Sequence, residues 1–192
     1  MKQVTLRWLL AGVVVTILSG CGDAQEHTAV KPAPVNFESG DECHVCGMAI
    51  SGFPGPKGEA ITENDQQVRK FCSTKDMFAW ALQPENRNRN HTLYVHDMAQ
   101  TQWASPEDTA LIDAREAVYV VGADRMGAMG PTLASFAKKE DARSFVEQHG
   151  GEMLMFPDVT LQHLNRSMSG SDSGELLMES MEHSRMDSMD PE

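Results

Sequence analysis

Two stretches of this chain can be laid over one another, and the overlay constrains the fold more than any other feature. Phe71-Cys72-Ser73-Thr74-Lys75-Asp76-Met77 lies over Phe136-Ala137-Lys138-Lys139-Glu140-Asp141-Ala142, and Trp80 then falls on Phe145. Each copy reads strand, helix, strand, with a further strand ahead of it. In the first copy, residues 67–72 have strand character. Ser73 with Asp76 makes a capping-box-like helix start. Met77, Trp80 and Ala81 follow at helical spacing, and Pro84 stops the helix. Residues 92–98 form the next strand. In the second copy, residues 117–122 are an unbroken apolar strand, which places it centrally. Residues 138–149 form a helix with Ala142, Phe145, Val146 and His149 on one face and Gly150 at its end. Residues 152–156 form the last strand. The pattern predicts an α+β fold of two ββαβ-type units packed together, roughly residues 41–110 and 111–164.

The flanks differ in kind. Residues 1–7 carry Lys2 and Arg7 and no acid, and residues 8–18 are apolar. That run is too short for a bilayer, which needs about 20 apolar residues, but suits a secretory signal. It ends in Leu18-Ser19-Gly20-Cys21, the pattern of a bacterial lipobox. Residues 1–20 then form the signal peptide, and Cys21 becomes the lipid-modified N-terminus. Residues 21–40, polar with Pro32 and Pro34, form a flexible tether. Residues 165–192 hold seven acids against Arg166 and Arg185 and form a disordered acidic tail. The chain has 16 Lys and Arg against 28 Asp and Glu, a net charge of −12 that loses two further cations with the signal. Nothing basic is left to displace counterions from phosphates, which excludes a nucleic-acid partner.

Four cysteines and 13 methionines stand in this acidic chain. With Cys21 committed to lipid, Cys43, Cys46 and Cys72 remain, and an odd number cannot all pair within the chain. The densest cluster is Asp41-Glu42-Cys43-His44-Val45-Cys46-Gly47-Met48. Cys72, Met77 and His96-Asp97-Met98 follow, then Met126 and Met129 in a glycine-rich turn. Cys46 and Met48 share a face of an extended chain, as do Tyr94, His96 and Met98. Four readings compete. Soft Cys, Met and His donors select Cu(I). Cys43, Cys46, Cys72 and His96 would close a tetrahedral zinc site. Cys43 and Cys46 could form a redox disulfide, although Gly47 and Pro54-Gly55-Pro56 indicate a loop. Methionines also fill cores, the reading favoured for Met77, Met153 and Met155. His44 is expected to be exposed and His149 to be a helix-end residue. In the tail, Met178, Met181, Met186, Met189 and His183 suggest either a low-affinity copper-gathering segment or compositional drift of an unstructured end.

Residues 41–48 resemble the motif of the NosL family. Pro54-Gly55-Pro56-Lys57-Gly58, Lys70-Phe71-Cys72-Ser73-Thr74, Tyr94-Val95-His96-Asp97-Met98 and Gly127-Ala128-Met129-Gly130 with Leu133-Ala134-Ser135-Phe136-Ala137 resemble it too. The resemblance covers about residues 41–160. It implies a lipid-anchored periplasmic Cu(I) metallochaperone, not an enzyme. It also implies delivery of copper for the copper–sulfide centre of nitrous oxide reductase. Its partners would be an ABC-type maturation complex with a periplasmic subunit, and the reductase itself. The family fold is similar to two ββαβ units related to the organomercurial lyase scaffold. His96 and Met98 are the first-choice ligands, with Cys43, Cys46, Met48 and Cys72 around them and Met129 beyond; a second metal such as Zn is left open. Gly22 after Cys21 favours the outer membrane by resemblance to lipoprotein sorting rules. The alternatives are a thiol–disulfide oxidoreductase using Cys43 and Cys46, and an organomercurial-lyase-like enzyme using a thiol pair with Asp41.

Overall fold

The computed structural model describes residues 31–63 and 66–166. The first unit consists of β1 (Gly58–Thr62), β2 (Val68–Phe71), helix α1 (Thr74–Ala81), the short α2 (Pro84–Arg87), β3 (His91–His96) and β4 (Leu111–Asp113). The second consists of β5 (Val118–Val121), a small hairpin of β6 (Met126–Gly127) and β7 (Gly130–Pro131), β8 (Ala134–Phe136), α3 (Lys139–His149) and β9 (Glu152–Met155). Helix α4 (Leu161–Arg166) follows. The sheets run β2-β1-β3-β4 and β8-β5-β9, with antiparallel neighbours throughout. In each unit the first strand is central, the second flanks it, and the strand after the helix takes the other flank. Phe71 and Phe136 both end the second strand, and Thr74 and Lys139 both open the helix. The overlay is therefore structural, in register at the strand–helix junction.

Burial explains the apolar run of β5. Tyr119 and Val121 enter one core with Phe78, Met77, Ala60, Leu93 and Val95, while Val118 and Val120 enter another with Ala134, Phe136 and Ala142. The layers are thus first sheet, α1, second sheet, α3. The Phe78 ring stands 4.8 Å from that of Tyr119, edge to face. Such a pair is worth about 0.5–1.5 kcal/mol beyond its buried area. On its other side α1 presses on β1: a Cβ at Gly58 would meet Met77 Sδ at 2.8 Å. Met77 is fully buried, as its core-filling reading expected.

Three boundaries differ from expectation. Strand β4 pairs with β3, so the chain leaves the first sheet after Asp113 instead of near 111. The strand expected over 92–98 ends at His96, because Asp97 N–H turns to the Ala110 carbonyl and Met98 N–H to that of Ser135. Residues 31–40, given to the tether, lie along the first sheet. Val35 N–H donates to Glu59 Oε1 at 2.9 Å, Phe37 N–H to Asp108 Oδ2 at 2.8 Å, and Tyr94 O–H to the Pro32 carbonyl. Polar, proline-bearing sequence looks unstructured by composition, but here its backbone groups find side-chain acceptors. The signal peptide, Cys21, residues 22–30 and residues 167–192 lie outside the described residues. Among the described residues, no helix is long and apolar enough to cross a membrane.

Candidate metal centre

Residues 41–50 fold into a tight hairpin. Cys43 N–H donates to the Met48 carbonyl at 2.8 Å, Gly47 N–H to that of Cys43 at 2.8 Å, and Ile50 N–H to that of Asp41 at 3.0 Å. Gly47 supplies the left-handed turn at φ +71°, a conformation that costs a side-chain-bearing residue more. His44 N–H donates to the Lys70 carbonyl at 2.8 Å, fastening the hairpin to the edge of β2. The His44 ring meets Phe71 and Trp80 edge-on, both at 6.2 Å. It is exposed, as expected, and holds the hairpin down without joining the donors.

The hairpin brings Cys43 and Cys46 over the strand–helix junction. Cys72 follows the last residue of β2. Ser73 caps α1, its Oγ accepting from Asp76 N–H at 3.1 Å. In a capping box the N3 side chain reaches back to the cap. Here Asp76 Oδ2 accepts from Cys72 Sγ at 2.9 Å and lies 3.7 Å from Cys43 Sγ. Cys46 Sγ lies 3.6 Å from Cys72 Sγ. One ligand atom from each of Cys43, Cys46, Cys72 and Asp76 fits within 4.8 Å of the others. Cys43 is 2% exposed, Cys72 0% and Asp76 9%, while Cys46 is the partly open member.

Charge in this cluster is shared. The Cys43 thiol is held down to about 4 by the Cys72 hydrogen bond and the backbone amides of Cys72, Cys46 and Val45, against the opposing effect of burial. Cys72 is pushed far above the usual thiol range by its bond to Cys43, by burial and by Asp76. Burial raises Cys46 and Asp76 as well. The negative charge of the thiol pair thus sits on Cys43, beside the protonated thiols of Cys72 and Cys46. A cation that replaces those protons removes the repulsion that keeps them bound, so metal uptake releases protons. Three sulfurs suit a soft ion; the carboxylate accepts a hydrogen bond or closes a fourth position.

His96 and Met98 stand elsewhere. Strand β1 lies between β2 and β3, so two strand spacings, about 10 Å, separate the rows of Cys72 and His96. His96 is buried under Phe37, ring centroids 5.6 Å apart. Its Nδ1 accepts from Lys57 N–H at 3.1 Å, and its Nε2 lies 3.8 Å from Asp108 Oδ1. Burial drives the imidazole down to about 4, so it is neutral. Met98 packs against the second core. The strand face that would have joined the two residues ends at His96, and the expected primary pair is not assembled with the thiols. The zinc set Cys43, Cys46, Cys72 and His96 is not assembled either, because Asp76 occupies the fourth place. Met48 shares the hairpin with the thiols through its carbonyl. Met126 and Met129 are exposed on the β6–β7 hairpin. His149 bonds Asp124 at the end of α3, as a helix-end residue. The acid beside the thiols is Asp76 and not Asp41, whose carboxylate pairs with Lys70.

Sequence reasoning missed three buried charges. Asp76 was visible only as a cap, although it lies four residues beyond Cys72, a spacing that faces the junction. Glu59 lies on β1 opposite Lys70 and Tyr94, and Lys57, just ahead of that strand, donates its Nζ to the Phe53 and Pro54 carbonyls. Glu59 is raised to about 7 and Lys57 lowered to about 8, each mainly by burial.

A family model named NosL matches residues 34–164. A copper-binding lipoprotein NosL of Stutzerimonas stutzeri is 47% identical over 166 residues, covering 86% of each chain. A protein of the same name from Achromobacter cycloclastes is 33% identical over 158 residues, covering 81% of this chain and 80% of its own. The crystal structure of the copper chaperone NosL from Shewanella denitrificans matches with a TM-score of 0.66 at 46% identity, over 69% of this chain and 98% of that one. These relatives bear the names of copper-binding proteins and not of enzymes. With a family model over most of its length, this extent of identity and a matching fold, the chain belongs to the NosL family.

Proposed function

We propose that this protein is a copper chaperone that carries Cu(I) on Cys43, Cys46 and Cys72. It would be held by lipid on Cys21 at the periplasmic face of a bacterial membrane, the outer membrane by preference. It would deliver copper, through an ABC-type maturation complex, to the copper–sulfide centre of nitrous oxide reductase. The observation that carries the reading is the convergence of three thiols and Asp76 within 4.8 Å at a largely buried junction. The names of the relatives support copper as the cargo.

The chemistry is ligand exchange. Cys43 offers a thiolate before the metal arrives. Cys46, the open member, makes the first contact and is the donor that an acceptor's ligand displaces. Cys72 and Asp76 hold the buried side. Since Cys72 and Cys46 must lose protons to bind, affinity falls as pH falls. Anaerobic titration with Cu(I) against a chelating competitor tests the reading. One tight equivalent, weakened on acidification and lost in Cys43→Ser, is expected. Full retention of that equivalent in Cys43→Ser would overturn the assignment. Loading the membrane-anchored protein and adding copper-free reductase with its maturation complex tests delivery, with recovery of the reductase spectrum as the readout.

A further inference from the structure

A second concave surface lies at the far end of α1. The end of this helix, α2 and the turn that leads into α4 enclose a groove of about 410 Å³. Its floor is apolar, formed by Leu82, Leu93, Phe156 and Val159. Its rim carries Arg87 and Arg115, both exposed. The Arg115 guanidinium stands 5.1 Å over the Phe156 ring. Neither arginine has an ion-pair partner among the described residues. In a chain of net charge −12, two unpaired cations over an apolar floor ask for an acidic, apolar occupant.

The chain itself holds one. Leu161, at the start of α4, lines the groove, and the sequence continues beyond Arg166 for 26 residues. First comes Ser167-Met168-Ser169-Gly170-Ser171-Asp172-Ser173-Gly174, then Glu175-Leu176-Leu177-Met178-Glu179-Ser180-Met181-Glu182. At helical spacing Glu175, Glu179 and Glu182 recur at i, i+4 and i+7, while Leu177, Met178 and Met181 gather on another face. Eight Ser/Gly-rich residues connect Arg166 to Glu175, and a chain of that length and composition reaches about 16 Å. That reach covers the groove and gives an effective concentration on the order of millimolar.

We propose that residues 175–182 dock in this groove. Leu177, Met178 and Met181 enter the apolar floor, and Glu175, Glu179 and Glu182 meet Arg87 and Arg115. The occupant is this chain's own segment, because the helix that leads to it starts at the groove with Leu161 and the charges are complementary. Helix α1 carries Asp76 in its first turn and Ala81 in the groove. The docked segment would therefore sit about 12 Å, the length of an eight-residue helix, from the thiols. The inference does not depend on the metal carried.

The test places a photo-crosslinking amino acid in the full chain, Leu177→p-benzoylphenylalanine, in detergent micelles at low concentration. Adducts within one chain are expected on peptides spanning 81–93 and 156–161. Arg87→Glu with Arg115→Glu should reduce them at least tenfold. Adding Glu175→Arg, Glu179→Arg and Glu182→Arg to that variant should restore them, which separates lost attraction from lost folding. Adducts scattered over the surface overturn the proposal, as do groove adducts indifferent to both charge changes. Adducts joining two chains assign the groove to a second copy and also overturn it.

Discussion

Cys72 and Ala137 hold the same place in two units of the same topology, and their surroundings have nothing else in common. Cys72 is fully buried beneath the 41–50 hairpin, while Ala137 is exposed among the described residues. Ser73 caps α1 with its hydroxyl; Lys138 offers α3 no side-chain cap. Asp76 accepts a hydrogen bond from Cys72 and lies 3.7 Å from Cys43 Sγ, whereas its counterpart Asp141 is part of a first helical turn that also holds Glu140. The strand–helix junction is therefore a scaffold and not a site. What makes the first junction a site is the added hairpin, which brings two more thiols and excludes water from the third. Fold and chemistry have separable origins here.

The largest effect that would break this contrast is at the thiols. Cys72→Ser should weaken Cu(I) by more than the roughly 10–100-fold that outer-shell partners typically contribute. Ala137→Cys, the mirror change, should add no second equivalent. Chelator competition reads both. Next comes Asp76→Asn, for which a loss of about tenfold is expected, while Asp141→Asn should leave affinity unchanged. Equal losses at the two aspartates would mean that the junction, and not the hairpin, is what matters.

A third contrast concerns the central strands. β5 is apolar throughout, but β1 buries Glu59, raised to about 7 from an unfolded value of 4.5. A carboxyl raised on folding stabilises fully below its unfolded value, and that contribution is lost as pH rises through the folded value. Glu59→Gln should therefore match the parent near pH 4 and exceed it at pH 8 by up to about 3 kcal/mol. Urea unfolding at the two values checks the sign. The smallest effect is expected at His96→Ala with Met98→Ala. Affinity for Cu(I) should stay within about threefold, since neither residue joins the thiols and each variant acts on packing.

The parts of this fold legible in the sequence are those that burial writes as a period. The run 117–122 is apolar because both its faces are covered, and the helix over 138–149 ends where Gly150 takes φ +69°. Cys43, Cys46 and Cys72 were legible as candidate soft donors by residue type and spacing, and the structure brings them together. The remainder was hidden for physical reasons. Asp76 has the sequence signature of a helix cap, and only the hairpin above it turns its carboxylate to thiols. Residues 31–40 are held by backbone bonds to Glu59 and Asp108, which no periodicity records. His96 and Met98 shared a face only on the assumption that the strand ran to 98. One main-chain bond, from Met98 N–H to the Ser135 carbonyl, carries Met98 to the other unit.

The central claim is that cargo is held by the thiols of the hairpin-covered junction. X-ray absorption on the anaerobically loaded Cu(I) form tests it most directly. A first shell dominated by sulfur, without the outer-shell scattering of imidazole, is the expected result. A shell with a clear imidazole contribution and fewer sulfurs would place the ion at His96 and contradict it.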